Sequence, residues 1–397
     1  MGKRYDLVVL GGGTAGLVSS MIAAGAGARV ALVERDRTGG DCLWTGCVPS
    51  KALIASAGVA HTVREAGSFG VKTAEPEIDF RAVMERVRAI RRAIEPHDSP
   101  DRLRESGVEV IEQEGRFVAP GALQVEGRTL GYRAAIVATG SSPVIPPVPG
   151  LAGAEPLTTE SIWDLDVLPE RLAVIGGGPI GCELGQAFAR LGSKVTIVEM
   201  ADRLLEREEP EASALIAETL IAEGVDLRIG TRLARVERAG GETVLVLAGD
   251  RRDRDDGPAG EKISATHLLV ATGRAPRTAG FGLGEIGVEV DAGGRITVDD
   301  RLRTSARGVY AAGDVTGALP FTHVAAQQAR LATPNALFGL RQKISYESVP
   351  WVTFTDPEVA RVGLSEAAAR ERWGGAAQVA SFDYEELDRA ITGGRTA

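Results

Sequence analysis

The chain has 397 residues, 44% of them hydrophobic and 25% charged, with a formal net charge of −9. Those values suit two or three domains with sizeable cores and argue against nucleic acid as a partner. Three cysteines are too few for a secreted disulfide scaffold, no apolar run reaches membrane-spanning length, and Met1 leads almost directly into the first strand, so a cytoplasmic protein with no membrane association is expected.

In chain order, Lys3 to Leu10 reads as a short apolar strand. Gly11, Gly13 and Gly16 follow in G-x-G-x-x-G spacing, a helical pattern runs to Gly27, and a second strand, Arg29 to Val33, is closed by Glu34. In such a unit the glycines let the backbone approach a pyrophosphate at the helix N-terminus, while the acid accepts from a ribose hydroxyl. The next segment, GGDCLWTGCVPSK from Gly39 to Lys51, sets Cys42 and Cys47 just before a helical pattern. Pro49 suits a first helical turn, and Cys47 lies where free backbone N–H groups and the helix dipole stabilise a thiolate, the layout of a redox-active dithiol. Zinc needs four ligands, and no second Cys pair or His cluster follows, so no metal site is expected. Phe80, Val83, Val87, Ile90 and Ile94 then form one apolar helix seam with Arg81, Glu85, Arg88 and Arg92 outside, suited to packing within its own domain or on a partner helix.

The proline-rich stretch Pro143 to Pro149 reads as a crossing into a second domain. There the first unit recurs at an offset of 165 residues: Gly176, Gly178 and Gly181 match Gly11, Gly13 and Gly16, Gly192 matches Gly27, and Glu199 matches Glu34. A chance glycine loop would not reproduce the acid as well, so two dinucleotides are expected. Glu199 ends its strand where a 2′-phosphate would sit, and carboxylate repels phosphate, so NADH is expected over NADPH; Arg203, the nearest downstream cation, stands past a turn. Cys182 reads as a small buried residue, and the charged run Arg251 to Gly260 as a solvated hairpin loop.

With two such units around a dithiol, the chain resembles the flavoprotein disulfide reductases, the family of dihydrolipoamide dehydrogenase, glutathione reductase and mercuric reductase, over nearly its whole length. Further landmarks fall in that family's order: AAIVATGSSP at Ala134 to Pro143, LLVATGRAP at Leu268 to Pro276 and VYAAGDV at Val309 to Val315. The resemblance implies an α/β fold of two Rossmann-like dinucleotide-binding domains followed by the start of an α+β interface domain. It divides the chain into an FAD domain (1–149 and 276–343), an NAD domain (150–275) and a partial dimerisation domain (344–397). It further implies that Cys47 faces the flavin ring, that Cys42 is the interchange thiol, and that Lys51 and Glu183 pair beside the flavin. Thr139, Gly140 and Asp314 would join Gly11, Gly13, Gly16, Glu34 and Lys51 around FAD; Gly273 would join Gly176, Gly178, Gly181 and Glu199 around NAD(H). Read by themselves, Lys51 is a solvated helix residue, Glu183 a first-turn acid and Asp314 a turn aspartate. His323, in LPFTHVAAQQA, stands near a helix start that resembles the one pointing at the flavin, and both a catalytic and a structural role are open to it.

The sequence departs from the family in two places. Trp44 and Thr45 stand between the cysteines where Asn and Val are usual, and Asp41 replaces a common Thr. WVTFTDPEVARVGLSE, Trp351 to Glu366, resembles the opening of the interface domain, yet the sequence stops at Ala397 with about half of it. The family's C-terminal histidine and glutamate have no counterpart, since His61, His97, His267 and His323 all precede that segment. A truncated interface domain is therefore expected to leave Trp351 and Phe354 exposed. The implied activity passes electrons from NADH through FAD to a Cys42–Cys47 disulfide and on to a small disulfide, dithiol or Hg(II) substrate, with a homodimer in the full-length form. LPFTHVA and the HDSP stretch at His97 to Pro100 lean towards the mercuric reductase branch, with dihydrolipoamide dehydrogenase close behind. The alternatives are an NADH:quinone or diaphorase-type flavin reductase, and a truncated FAD-binding chain without substrate turnover.

Overall fold

Alternating apolar runs and glycine turns build two parallel sheets of the same winding. The computed structural model of the chain describes residues 4–240, 242–248 and 260–394. Residues 251–259, the body of the charged run expected to form a hairpin loop, lie outside the described residues.

The first stretch runs β1 (Tyr5–Leu10), α1 (Thr14–Gly25), β2 (Val30–Glu34), α2 (Gly40–Trp44), α3 (Cys47–Glu65), α4 (Phe80–Asp98), α5 (Pro100–Glu105), β3 (Val108–Glu112), β4 (Arg116–Ala119), β5 (Ala122–Val125), β6 (Arg128–Val137) and β7 (Ser141–Pro143). The second runs β8 (Arg171–Ile175), α6 (Pro179–Arg190), β9 (Lys194–Val198), α7 (Pro210–Ala222), β10 (Asp226–Arg228), β11 (Leu233–Ala239), β12 (Glu242–Leu247), β13 (Lys262–Ala265), β14 (His267–Val270) and β15 (Arg274–Pro276). The chain then forms β16 (Val309–Ala311), α8 (Thr322–Phe338), β17 (Pro350–Thr353), β18 (Val359–Val362), α9 (Glu366–Trp373) and α10 (Asp388–Thr392).

β3, β2, β1 and β6 lie side by side in parallel, with Leu7 opposite Val30 and Ala134, and β16 adds to β6 with Val309 opposite Ala135. β10, β9, β8 and β14 repeat that order, with Leu172 opposite Val195 and His267. The sequence repeat is thus a repeat of topology, and it places each glycine loop at the carboxyl end of a central strand, where open α/β sheets bind ligands. β7 and β15 pair antiparallel, Ser141 opposite Pro276, where the chain leaves and re-enters the first sheet's side of the molecule.

Helix α4 begins under an Asp79 cap that accepts from the Ala82 N–H, and its apolar seam buries Phe80, Met84 and Val87. The seam packs within the chain: these residues share one core with Leu53 of α3 and with Trp163, Phe188 and Leu220 from the second repeat, and the Phe80 and Phe188 rings lie 6.0 Å apart. The helices that follow the dithiol are therefore fastened to the second sheet's helices. One outer-face residue differs from expectation. Arg88 curls inward to donate to the carbonyls of Trp163 and Leu165 and to Asp166, because that loop end offers unpaired acceptors.

Candidate active site

The first glycine loop is built by steric necessity. Gly11 has φ +108°, and a Cβ there would overlap the carbonyl oxygen of Ala138; a Cβ at Gly16 would overlap the oxygen of Gly11. Gly13 caps α1 in extended conformation with no side-chain hydrogen bond, leaving the helix N–H groups open to an anion. The Glu34 carboxylate accepts from the Gly12 N–H at 2.6 Å and from the Asp36 N–H at 2.9 Å. Gly11, Glu34 and Thr139 line one cleft of ≈ 470 Å³ with Gly115 and Arg277. The Thr139 hydroxyl donates to the Arg277 carbonyl, Gly140 takes φ +71°, and the Asp314 carboxylate accepts from Ser141 Oγ at 2.7 Å.

The second loop repeats this. Gly176 has φ +110°, Gly181 sits against the Gly176 carbonyl, Gly178 caps α6 without a side-chain bond, and Glu199 accepts from the Gly177 N–H at 2.5 Å and from Ala201 at 2.7 Å. Gly273, at φ +130°, lies two residues past Ala271, whose oxygen closes on Gly176. The Arg203 guanidinium is occupied by the carbonyls of Glu206 and Glu208. Cys182 is fully buried in α6, and burial pushes its thiol up to about 12, as suits a packing residue.

Between the repeats stand the two cysteines, Cys42 on α2 and Cys47 as the first residue of α3. Cys47 is exposed and Cys42 half-buried, both as free thiols. Their ionisation is split. The hydrogen bond from the Cys42 thiol is the main force holding Cys47 down at about 6, helped against burial by the Thr322 hydroxyl and the Lys51 charge. The same pairing, with burial, pushes Cys42 far above the ordinary thiol range. Thr322 is a member the sequence reading missed: its Oγ1 lies 3.2 Å from the Cys47 Sγ, at the start of α8. The neighbouring His323, singled out instead, stacks its ring on Phe321 at 5.5 Å.

Lys51, one turn along α3, meets Glu183 of α6 at 2.8 Å. Glu183 is buried and spends its second oxygen on the Phe354 N–H at 2.9 Å, while the Lys51 ammonium sits 4.3 Å from the centre of the Phe354 ring. With both oxygens engaged, the buried carboxylate fixes Lys51 in place. Phe354 is therefore not left exposed as expected. Nor is Trp351, which stacks on Phe321 at 5.7 Å, donates to Glu208 at 2.7 Å and lies under Arg361. The strand pair β17–β18 finds partners on the two repeats of its own chain, which the sequence alone could not show. Among the described residues, no helix is long and apolar enough to cross a membrane.

Comparison with known proteins assigns the chain a family. The profile of the pyridine nucleotide-disulphide oxidoreductases matches residues 5–329, and that of the same family's dimerisation domain matches residues 349–397. The chain belongs to the pyridine nucleotide-disulphide oxidoreductase family. It is 36% identical to a mercuric reductase of Lysinibacillus sphaericus over 99% of this chain and 70% of that one. It is 37% identical to a dihydrolipoyl dehydrogenase of Thermus scotoductus over 98% and 82%. The crystal structure of LpdA from Mycobacterium tuberculosis superposes with a TM-score of 0.87 at 32% identity, over 98% of this chain and 84% of that chain. The protein is thus an enzyme, an oxidoreductase of a class that uses a flavin and a pyridine nucleotide in disulfide chemistry, and it carries dimerisation-domain sequence.

Proposed function

We propose that the chain is an FAD-containing, NADH-linked reductase whose electrons leave through a Cys42–Cys47 disulfide to a small disulfide, dithiol or Hg(II) substrate. The observation that carries this reading is the divided dithiol, a low-pKa Cys47 beside a protonated Cys42, set between two glycine loops and beside the Lys51–Glu183 pair. The first loop suits FAD: Gly11, Gly13 and Gly16 clear a path for the pyrophosphate, Glu34 faces the ribose position, Thr139 walls the cleft with Gly140 turning beside it, and Asp314 is poised for the ribityl chain. Gly176, Gly178, Gly181, Glu199 and Gly273 offer the second dinucleotide a matching surface. When bound, the flavin would accept a hydride from the nicotinamide and supply two electrons to the disulfide.

The chain's own residues do the rest. Lys51, anchored by Glu183, presents a positive charge where reduction adds a negative one. Cys47 holds the thiolate, and Cys42 keeps its proton until it attacks or releases substrate. The reading extends to a cytoplasmic homodimer, with the chain divided at about residues 149, 275 and 343. Two-electron reduction of the FAD-loaded protein tests it: a long-wavelength thiolate-to-flavin absorption band should appear, vanish in Cys47→Ser and survive in Cys42→Ser. A band that persists in Cys47→Ser would reverse the two sulfurs. Unaltered NADH oxidation with a quinone in the Cys42→Ser/Cys47→Ser double variant, and no disulfide-linked turnover in the parent, would favour the diaphorase-type reading.

A further inference from the structure

Asp41, which stands where the family commonly carries Thr, has a partner that neither the motif nor the reaction supplies. Its carboxylate is ion-paired with Arg274 of β15, from the other side of the molecule's crossover. The Arg274 side chain is only 17% exposed and nearly all its donors are spent: Nε on Ser141 Oγ at 2.8 Å, Nη1 on Thr159 Oγ1 at 3.2 Å, and Nη2 on the Ser141 carbonyl at 2.9 Å as well as on Asp41. Ser141 Oγ in turn donates a hydrogen bond to Asp314. At the other end of α2, the buried Trp163 indole N–H reaches the Thr45 carbonyl at 3.0 Å and the Thr159 carbonyl at 2.6 Å. The short helix bearing Cys42 is thus pinned at both ends by residues beyond the crossover.

We infer that Asp41 and Arg274 are positioning residues for the dithiol: their ion pair straps α2 to the paired crossover strands β7 and β15 and holds the Cys42 sulfur within bonding reach of Cys47. A planar guanidinium fixed by three further acceptors is a rigid anchor, and two thiols held in register act as if highly concentrated towards each other. The inference rests on the dithiol reading above. It is tested on the bond itself, with neither flavin turnover nor nucleotide.

Protein equilibrated with glutathione and glutathione disulfide is quenched, alkylated and scored by mass for the Cys42–Cys47 bond. In that exchange one of the two sulfurs, as thiolate, attacks glutathione disulfide and expels one glutathione thiolate. The other then loses its proton and attacks the first sulfur, expelling the second glutathione thiolate, so two electrons pass from protein to glutathione. Asp41→Asn, nearly isosteric at a half-exposed position, and Arg274→Gln should each move the equilibrium about tenfold towards the dithiol. The double variant should add nothing further, and Arg171→Gln, which breaks the Arg171–Glu170 and Arg171–Glu242 pairs far from the dithiol, should leave it unchanged. Parental equilibria in both single variants, additive effects in the double, or an equal shift in Arg171→Gln would overturn the strap. A parent chain that never forms the Cys42–Cys47 bond would instead overturn the dithiol reading, and the strap with it.

Discussion

Cys47 carries a lowered pKa because several donors converge on one sulfur: the Cys42 thiol first, then the Thr322 hydroxyl and the Lys51 charge. A depressed thiol is charged above its pKa, so alkylation of Cys47 by iodoacetamide should rise to a plateau with a midpoint near pH 6 and should precede that of Cys42, whose thiol the Cys47 pairing holds up. Because Cys42 is the largest cause, Cys42→Ala should raise that midpoint most. Thr322→Val should raise it by about one unit, a hydrogen bond to a charged acceptor being worth about 1.5–3 kcal/mol, and Thr322→Ser should restore it. An unmoved midpoint in Thr322→Val would show the contact to be incidental. Glu199 makes a second prediction at this scale. Its carboxylate is bound to two backbone N–H groups, and the Arg203 guanidinium is engaged by carbonyls, so neither residue welcomes a 2′-phosphate. NADH should exceed NADPH in kcat/KM by at least about tenfold, roughly 1.4 kcal/mol, and Glu199→Ala should narrow the gap.

Helix α4 shows what an element contributes. Its seam was plain in the sequence from the spacing of Phe80, Val83, Val87, Ile90 and Ile94, but its partner was not. The structure sets Phe80 against Phe188, so the helix joins the dithiol-bearing α3 to α6, which carries Glu183. Phe188→Ala should therefore cost about 3–5 kcal/mol in chemical denaturation. It should also loosen the Lys51–Glu183 pair, read as faster hydrogen exchange at the Phe354 amide, which donates to Glu183. Loss of stability without faster exchange there would mean that α6 is held in place by the sheet alone. Strands β17 and β18 make the complementary point. Trp351 and Phe354 read as interface residues, yet their nearest partners are Phe321, Glu208, Lys51 and Glu183 of the same chain, contacts that span about 30 to more than 300 residues of sequence.

At the scale of the molecule, apolar side chains gather on the last segment. Trp373, Val379, Phe382, Tyr384, Leu387 and Ile391 are all exposed, within the stretch that matches the dimerisation domain. Exposed large side chains of this kind suit an association surface. Sedimentation equilibrium should find self-association that weakens in a Phe382→Ser/Leu387→Ser variant, and equal association by both proteins would place the contact elsewhere.

What the sequence determined by itself was whatever is written in short-range spacing: the two G-x-G-x-x-G units with their closing acids, the 165-residue repeat, the dithiol at a helix start and the seam of α4. Such features are local because a backbone turn, a helix face or a helix dipole needs only neighbouring residues. Only the tertiary structure decided which side chains meet across the repeats. Thr322 reaches Cys47 from 275 positions away, and Arg274, one residue of the LLVATGRAP segment, reaches Asp41 from 233. Threonine and arginine are common on any surface, and nothing in their spacing distinguishes a residue that folding will carry to a sulfur or a carboxylate. Glu183 read alone as a first-turn acid, and became a buried, doubly satisfied partner of Lys51 only once α3, α6 and β17 had packed together. Burial and pairing are properties of the packed whole.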